Sequence, residues 1–477
     1  MSAKSETAAS TGRKKVVSLD EVVDFNPRFG KDELADDSLV SFIPMKCVEE
    51  ESGRFEPLGD RKVVEVRRSY TPFRDGDVIF AKVTPCMENG KAAVLKGLTN
   101  GVGFGSTEFF ALRPKNGLEA HYLFHFILQS EFRRDAARNM TGAVGLRRVP
   151  KSWLEQQLIP LPEPDEQRRI VAEIEKQFTR LEAGVAALRR VQANLKRYRA
   201  AVLKAACEGR LVPTEAELQK SAARGRKAKA SYETGEALLA RILTERRKNW
   251  TGRGKYKEPA APEAAKLPEL LAGWTWATVE QLAAAEPNSI TDGPFGSNLK
   301  TEHYMDSGPR VIRLQNIGDG VYVDEEAHIS QSHFERLQKH RIFANDVVIA
   351  GFGENPPRSC IIPEALGPAI VKADCIRFKP HSSVLPKYMN IALNSDPVRK
   401  RTKGMVHGVG RPRLNLGEIK SIVLSIPPLA EQTRIVAEVE RRLSVVEELE
   451  AVVFANLQRA SRLRQAILQR AFSGELV

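Results

Sequence analysis

Residues 166–177 read EQRRIVAEIEKQ, and residues 431–442 read EQTRIVAEVERR. The match runs without a gap to Val212 in the first copy and to Val477 in the second, with 18 of 47 aligned positions identical. That much identity at one fixed offset marks an internal duplication. The two copies also close alike, on GRLV and GELV.

Apolar residues in the first copy fall at Ile170, Ile174, Phe178, Leu181, Val185, Leu188, Leu195, Tyr198 and Val202, and in the second at Ile435, Val439, Leu443, Val446, Val453, Leu457, Leu463 and Ile467. Steps that are mostly threes and fours predict one long amphipathic helix per copy. Pro162 and Pro164 precede the first start, Pro427 and Pro428 the second, and Gly209 and Gly474 stand where a C-terminal cap belongs. At 1.5 Å per residue such a helix spans roughly 65 Å. A helix with one apolar stripe is not stable alone. The economical partner is the other copy, which gives an antiparallel coiled-coil pair.

Upstream of the helices the likeness continues and fades. MTGAVGLRRVPKS at 140–152 lies over MVHGVGRPRLNLG at 405–417, so that Val144 matches Val409, Gly145 matches Gly410 and Arg148 matches Arg413. Further back, GDVIFAKVTP resembles NDVVIAGFGE, and FALRP resembles IRFKP, with small shifts. Each half is therefore a variable globular region followed by a more constant helix. This pattern suggests two modules that do the same job on different targets.

Short β-branched runs, Gly/Pro-rich turns and the helical stretch HYLFHFILQSEFRRDAARN make each module a mixture of strands and helices. The expected fold class is α+β: two mixed α/β domains separated by two long helices, in a pseudo-twofold internal repeat. The expected boundaries are a mobile tail at 1–15, a first module at 16–163 and a first helix at 164–212. A basic linker with one short helix follows at 213–266, then a second module at 267–428 and a second helix at 429–477.

The 477 residues carry a formal net charge of +13, which favours a polyanionic partner, nucleic acid before an anionic membrane surface. With 28% charged and 42% hydrophobic residues the chain reads as soluble and globular. No apolar run approaches the roughly 20 residues of a membrane helix, and the polar N-terminus lacks the core of a secretory signal. Cys47, Cys86, Cys207, Cys360 and Cys375 are scattered, with no zinc-like spacing, which fits free thiols in the cytoplasm. No G-x-x-x-x-G-K-[ST] phosphate loop and no H-E-x-x-H appears.

The halves also carry KVTPCMENGKAAVL and GFGSTEFFALRP in the first, and GWTWATVEQL, DGPFGSNLK and RLQNIGDG in the second. In order, spacing and duplication, residues 16–477 strongly resemble the specificity subunit (HsdS) of type I restriction-modification enzymes. The resemblance implies two target recognition domains, each reading one half of a split double-stranded DNA sequence. It implies a helical pair that separates the domains and docks two modification subunits, which methylate adenine with S-adenosylmethionine. Restriction subunits, working with ATP and Mg, add translocation and cleavage. The specificity subunit is not itself a catalyst, so no cofactor is expected on this chain. One rival from another class is an enzyme, a methyltransferase or nuclease fused to its own reader. A third reading is a coiled-coil adaptor with no DNA role. Asn355-Pro356-Pro357 resembles the N-P-P of adenine methyltransferases, but Arg358 stands where they place a base-stacking aromatic. The segment is read as a rigid Pro-Pro turn. Trp274 and Trp276, spaced as one strand face, are read as packing residues.

A DNA reader needs Lys and Arg for phosphates and Arg, Lys, Asn or Gln for base edges, carried on loops over a rigid scaffold. The first module offers Lys82, Thr84, Asn89 and Lys91 in one loop and Arg147, Arg148 and Lys151 after the Gly145 turn. The second offers Ser297, Asn298, Lys300, Arg313, Gln315, Asn316, Arg358, Arg411 and Arg413. No catalytic residue and no metal ligand is expected.

Overall fold

The computed structural model describes residues 15–30, 33–143, 145–223, 232–251, 254–353, 355–408 and 412–476. The expected tail, apart from Lys15, lies outside the described residues, as do Val144, Val409, Gly410 and the candidate Arg411. The chain divides into two compact units, one built from the residues up to Arg190 together with those from Val453 onward, the other from Val191–Val452. Each unit thus contains one globular module and a part of both long helices, Pro164–Cys207 and Leu429–Ser473.

In the first unit the strands Val23–Phe25, Phe109–Pro114, Val78–Ala81 and Ala92–Val94 form one sheet in that order. Asp60–Lys62, Leu39–Ile43, Val102–Gly105 and Thr71–Arg74 form a second, in which Leu39–Ile43 and Val102–Gly105 run parallel and the other pairs antiparallel. The strand Val78–Ala81 is buried throughout and serves two cores by its alternation. Ile79 and Ala81 meet Ile43 and Phe73 of the second sheet, while Val78 and Phe80 meet helices. That helical layer comprises Ala120–Ile127, Ser130–Arg138 and the facing ends of the long helices, through Ile170, Ile174, Phe178, Ile467 and Leu468. The stretch expected as one helix at 121–139 is two, broken at Leu128 and Gln129.

The second unit repeats the plan. Ile290–Thr291, Cys375–Phe378, Val347–Ala350 and Arg358–Ile361 form one sheet. His328–Ile329, Tyr304–Ile312, Ala369–Val371 and Arg341–Ile342 form the other, again with one parallel pair, Tyr304–Ile312 with Ala369–Val371. Val348 and Ala350 face the second sheet, whereas Val347 and Ile349 face the helices. Short two-stranded ribbons, Val16–Ser18 with Leu158–Pro160 and Thr275–Thr278 with Val423–Ile426, tie each module's start to its end.

The repeated EQ is explained by what its glutamine does. Gln167 is fully buried, donates to the carbonyls of Gly117 and Pro162, and accepts from the Glu119 N–H. Gln432, equally buried, donates to the Pro427 carbonyl and accepts from the Leu385 N–H. Each glutamine welds a long helix to the module ahead of it. The C-terminal ends match too: Arg210 N–H bonds the Ala205 carbonyl and Glu475 N–H the Arg470 carbonyl, both just beyond a glycine at positive φ.

Most stripe residues are buried, but Tyr198 and Leu463, which occupy the same repeat position, are 45% and 49% exposed. The stripe is buried again on either side of that position, at Leu195 and Val202 in the first copy and at Ala460 and Ile467 in the second. The linker is also more structured than expected. Helices Glu215–Ala223 and Gly235–Lys248 lie within it, and the second is docked by Leu238 and Ile242 in the core of the second unit. The Arg246 guanidinium there donates to the carbonyls of Glu280 and Ala283. A basic run that reads as solvated linker is therefore partly core, because its apolar residues sit one helical turn apart on a single face.

Candidate nucleic-acid interface

In each module two of the segments chosen from sequence come together. In the first, Val78–Ala81 leads into residues 82–91, where the Thr84–Pro85 bond is cis. Thr84 N–H bonds the Arg147 carbonyl at 3.0 Å and Val149 N–H bonds the Lys82 carbonyl at 2.9 Å, so this loop and the 141–149 hairpin form one surface. Arg148 forks onto Glu108, its Nε at 3.2 and 3.0 Å and a terminal nitrogen at 2.7 Å from the carboxylate oxygens. The Arg148 hydrogen bonds hold the Glu108 carboxyl below the usual range.

The second module reproduces this joint. Arg413 pairs with Asp374 at 2.6 Å. Glu108 and Asp374 each stand immediately before the equivalent strand, Phe109–Pro114 or Cys375–Phe378. Arg148 bridges to Val83 and Thr141, and Arg413 to Phe352 and His407. The Pro356–Pro357 turn, also cis, precedes Arg358 at the start of its strand, as the Pro-Pro reading expects.

The other candidates divide by their partners. Lys82 is half-buried over the Phe110 ring, Lys91 reaches the Met45 carbonyl, and the Thr84 hydroxyl contacts Met140 sulfur. Asn89 donates to Glu50, Arg147 lies beside Glu88, and Lys151 pairs with Glu155. Ser297, Asn298 and Lys300 are exposed on one loop, with Lys300 near Glu302. Asn316 is corrected. It is fully buried, its amide donating to the carbonyls of Val323 and Glu325 and its oxygen accepting from Arg313 N–H, so it holds a turn and faces no ligand. Gln315 donates to Glu325 and Arg313 to the Glu326 carbonyl, beside the acidic run Asp324–Glu326. Those two face carboxylates, a poor setting for a polyanion. Trp274 and Trp276 are packing residues, their indole N–H groups donating to Glu431 at 3.0 Å and to the Pro268 carbonyl at 3.1 Å.

Sequence reasoning missed Glu108 and Asp374, although an acidic residue directly before each matching strand was a readable signal. A second repeated ion pair underlies both loops. Asp77 takes two hydrogen bonds from Arg113 at 2.8 and 2.9 Å, and Asp346 takes one from Arg377 at 2.6 Å. This is why GDV and NDV recur. Among the described residues no group of three His, Cys, Asp or Glu side chains is placed to hold a metal ion.

Two copies of one α+β module, each with paired loops bearing cations at one end and each welded to long helices, define a duplicated two-headed recognition scaffold. Residues 13–187 match the family model described as Type I restriction modification DNA specificity domain. The chain is 26% identical to the Type I restriction enzyme EcoEI specificity subunit of Escherichia coli, covering 96% of this chain and 82% of that one. It is 24% identical to the EcoAI specificity subunit of the same species, over 95% and 82% of the two chains. A chain solved in work on complex assembly and conformational transition of the type I R-M system superposes with a TM-score of 0.62 at 19% identity, over 97% of this chain and 98% of that one. The chain thus carries a type I restriction modification DNA specificity domain over residues 13–187 and is similar along nearly its whole length to specificity subunits of type I restriction enzymes.

Proposed function

We propose that the chain reads an asymmetric, bipartite double-stranded DNA site, each module taking one half. The observation that carries this reading is the identity of strand pairing in the two modules together with the divergence of their loops. A common scaffold supplies the same approach to the duplex, and unlike loops supply unlike half-sites. Where the first module's loop ends on Asn89, Gly90 and Lys91, the second's ends on Pro356, Pro357 and Arg358. Phosphate contacts by exposed cations contribute affinity and register, and base-edge contacts contribute selection.

The partners in this reading are two adenine methyltransferase subunits, joined by restriction subunits where the complex also cleaves. S-adenosylmethionine, and ATP with Mg, belong to those partners. Exposed apolar side chains on the second long helix supply docking area: Val445, Leu449 and Val452 in one unit, Phe454 and Leu463 in the other. The chain works in the cytoplasm beside the DNA, and no helix among the described residues is long and apolar enough to cross a membrane.

The test is a module exchange. Replacing residues 267–428 with the matching region of a relative, followed by genome-wide methylation mapping, is expected to change one half of the methylated motif and leave the other intact. A motif changed in both halves, or adenine methylation by the purified chain without partners, would refute the proposal.

A further inference from the structure

We infer that Phe295 is an apolar base contact of the second module, and that the first module has no counterpart to it. This inference rests on the DNA-reading function proposed above. Phe295 lies in the connection between Ile290–Thr291 and Tyr304–Ile312, and the residue is 46% exposed. Its loop is fixed on both sides. A Cβ on Gly293 would lie 2.0 Å from the carbonyl carbon of Lys372, so only glycine permits that approach. The Asp292 carbonyl accepts from His340 at 2.6 Å, and Gly296 turns the chain with φ +60°. The ring is thus presented by a held turn.

A single exposed phenylalanine needs no explanation in general, but this one has an internal control. The matching connection of the first module, between Val23–Phe25 and Leu39–Ile43, carries Phe29-Gly30 in the place of Phe295-Gly296. Phe29 packs on Phe104, with ring centroids 6.0 Å apart, and the Arg74 guanidinium covers it at 4.8 Å. It belongs to the apolar cluster of Val40, Val63 and Val102. The same residue type in the same topological place is therefore packed in one module and displayed in the other.

The surroundings of Phe295 say what it meets. The guanidinium of Arg413, anchored by Asp374, stands 5.8 Å from the ring centroid. Ser297, Asn298 and Lys300 are exposed on the same turn. An apolar ring rimmed by cations and hydrogen-bonding groups matches a base edge flanked by phosphates. The ring takes the apolar part of that edge, a thymine methyl or the face of a base step, while the rim takes the backbone.

The test uses the full chain assembled with its modification subunits, on duplexes varied one position at a time in both half-sites. Phe295→Ala is expected to lower affinity for the target about tenfold, as one base contact does. It should relax preference at one or two positions of a single half-site. Affinity for non-target duplex and its salt dependence should not move, because no charge is removed. Phe295→Leu keeps apolar volume and should retain part of the preference. Phe29→Ala should leave that half-site's preference intact and lower the melting temperature instead. A Phe295→Ala complex with unchanged preference at every position overturns the inference, as does one that loses target and non-target binding equally. A wild-type complex with no sequence preference would instead sink the underlying function.

Discussion

The Glu108–Arg148 joint allows a charge experiment whose outcomes are fixed in sign. In the folded chain the pair is neutral and closely hydrogen bonded, so it adds no net charge to the loop surface. Glu108→Gln frees the guanidinium and adds one positive charge there. Arg148→Ala leaves the carboxylate alone and subtracts one. The double variant removes both and restores the original balance. Each neutralised phosphate contributes a slope of about 0.9 in log affinity against log salt. Glu108→Gln should therefore steepen the slope for non-target duplex by about 0.9, and Arg148→Ala should flatten it by a similar amount. Between 50 and 200 mM salt a change of 0.9 is about a 3.5-fold difference in the loss of affinity. Fluorescence-anisotropy titrations of the assembled complex over a salt series measure it, with thermal melting as the check on folding. If all three variants share the wild-type slope while remaining folded, this end of the first module does not face DNA. If the double variant fails to return toward wild type, the two residues do not act as a pair.

Three further outcomes follow from the packing. Asp346→Ala leaves Arg377, only 4% exposed, short of its main partner, and should cost about 3 kcal/mol in urea unfolding followed by tryptophan fluorescence. Asp77→Ala should cost less, because the 31% exposed Arg113 can rehydrate; equal costs would show that burial does not set the difference. His125 is buried against Phe124 and Phe178, which lowers its pKa to about 3. The unfolded chain then binds the extra proton first, so its contribution to stability is present above about pH 6.5 and falls as pH drops toward 3, by at most about 1.4 kcal/mol per pH unit. His125→Phe should flatten the melting temperature profile over that window, and an unaltered profile would exclude the residue. Gln432→Ala strips the Leu385 N–H and the Pro427 carbonyl of their buried partner and should destabilise by about 1–3 kcal/mol. A loss of under a few tenths would mean the weld is not structural.

The duplication, both long helices, the α+β character of the modules and the likeness to specificity subunits were all legible in the linear chain. Each rests on local order: helical periodicity, proline and glycine at the ends, strand alternation, and one fixed offset between copies. Tertiary structure decided which polar residues are spent inside the protein. Asn316 reads like any loop asparagine, yet hydrogen bonds with the backbone of Arg313, Val323 and Glu325 close it off once the turn has folded. Arg148 and Arg413 read as free cations, yet carboxylates 40 and 39 positions upstream hold them. Phe29 and Phe295 share a motif but not a burial, because the sheet beneath one covers its ring and the sheet beneath the other does not. Periodicity is a property of neighbours along the chain, whereas the partner of a side chain is chosen by the packing of strands far apart in sequence.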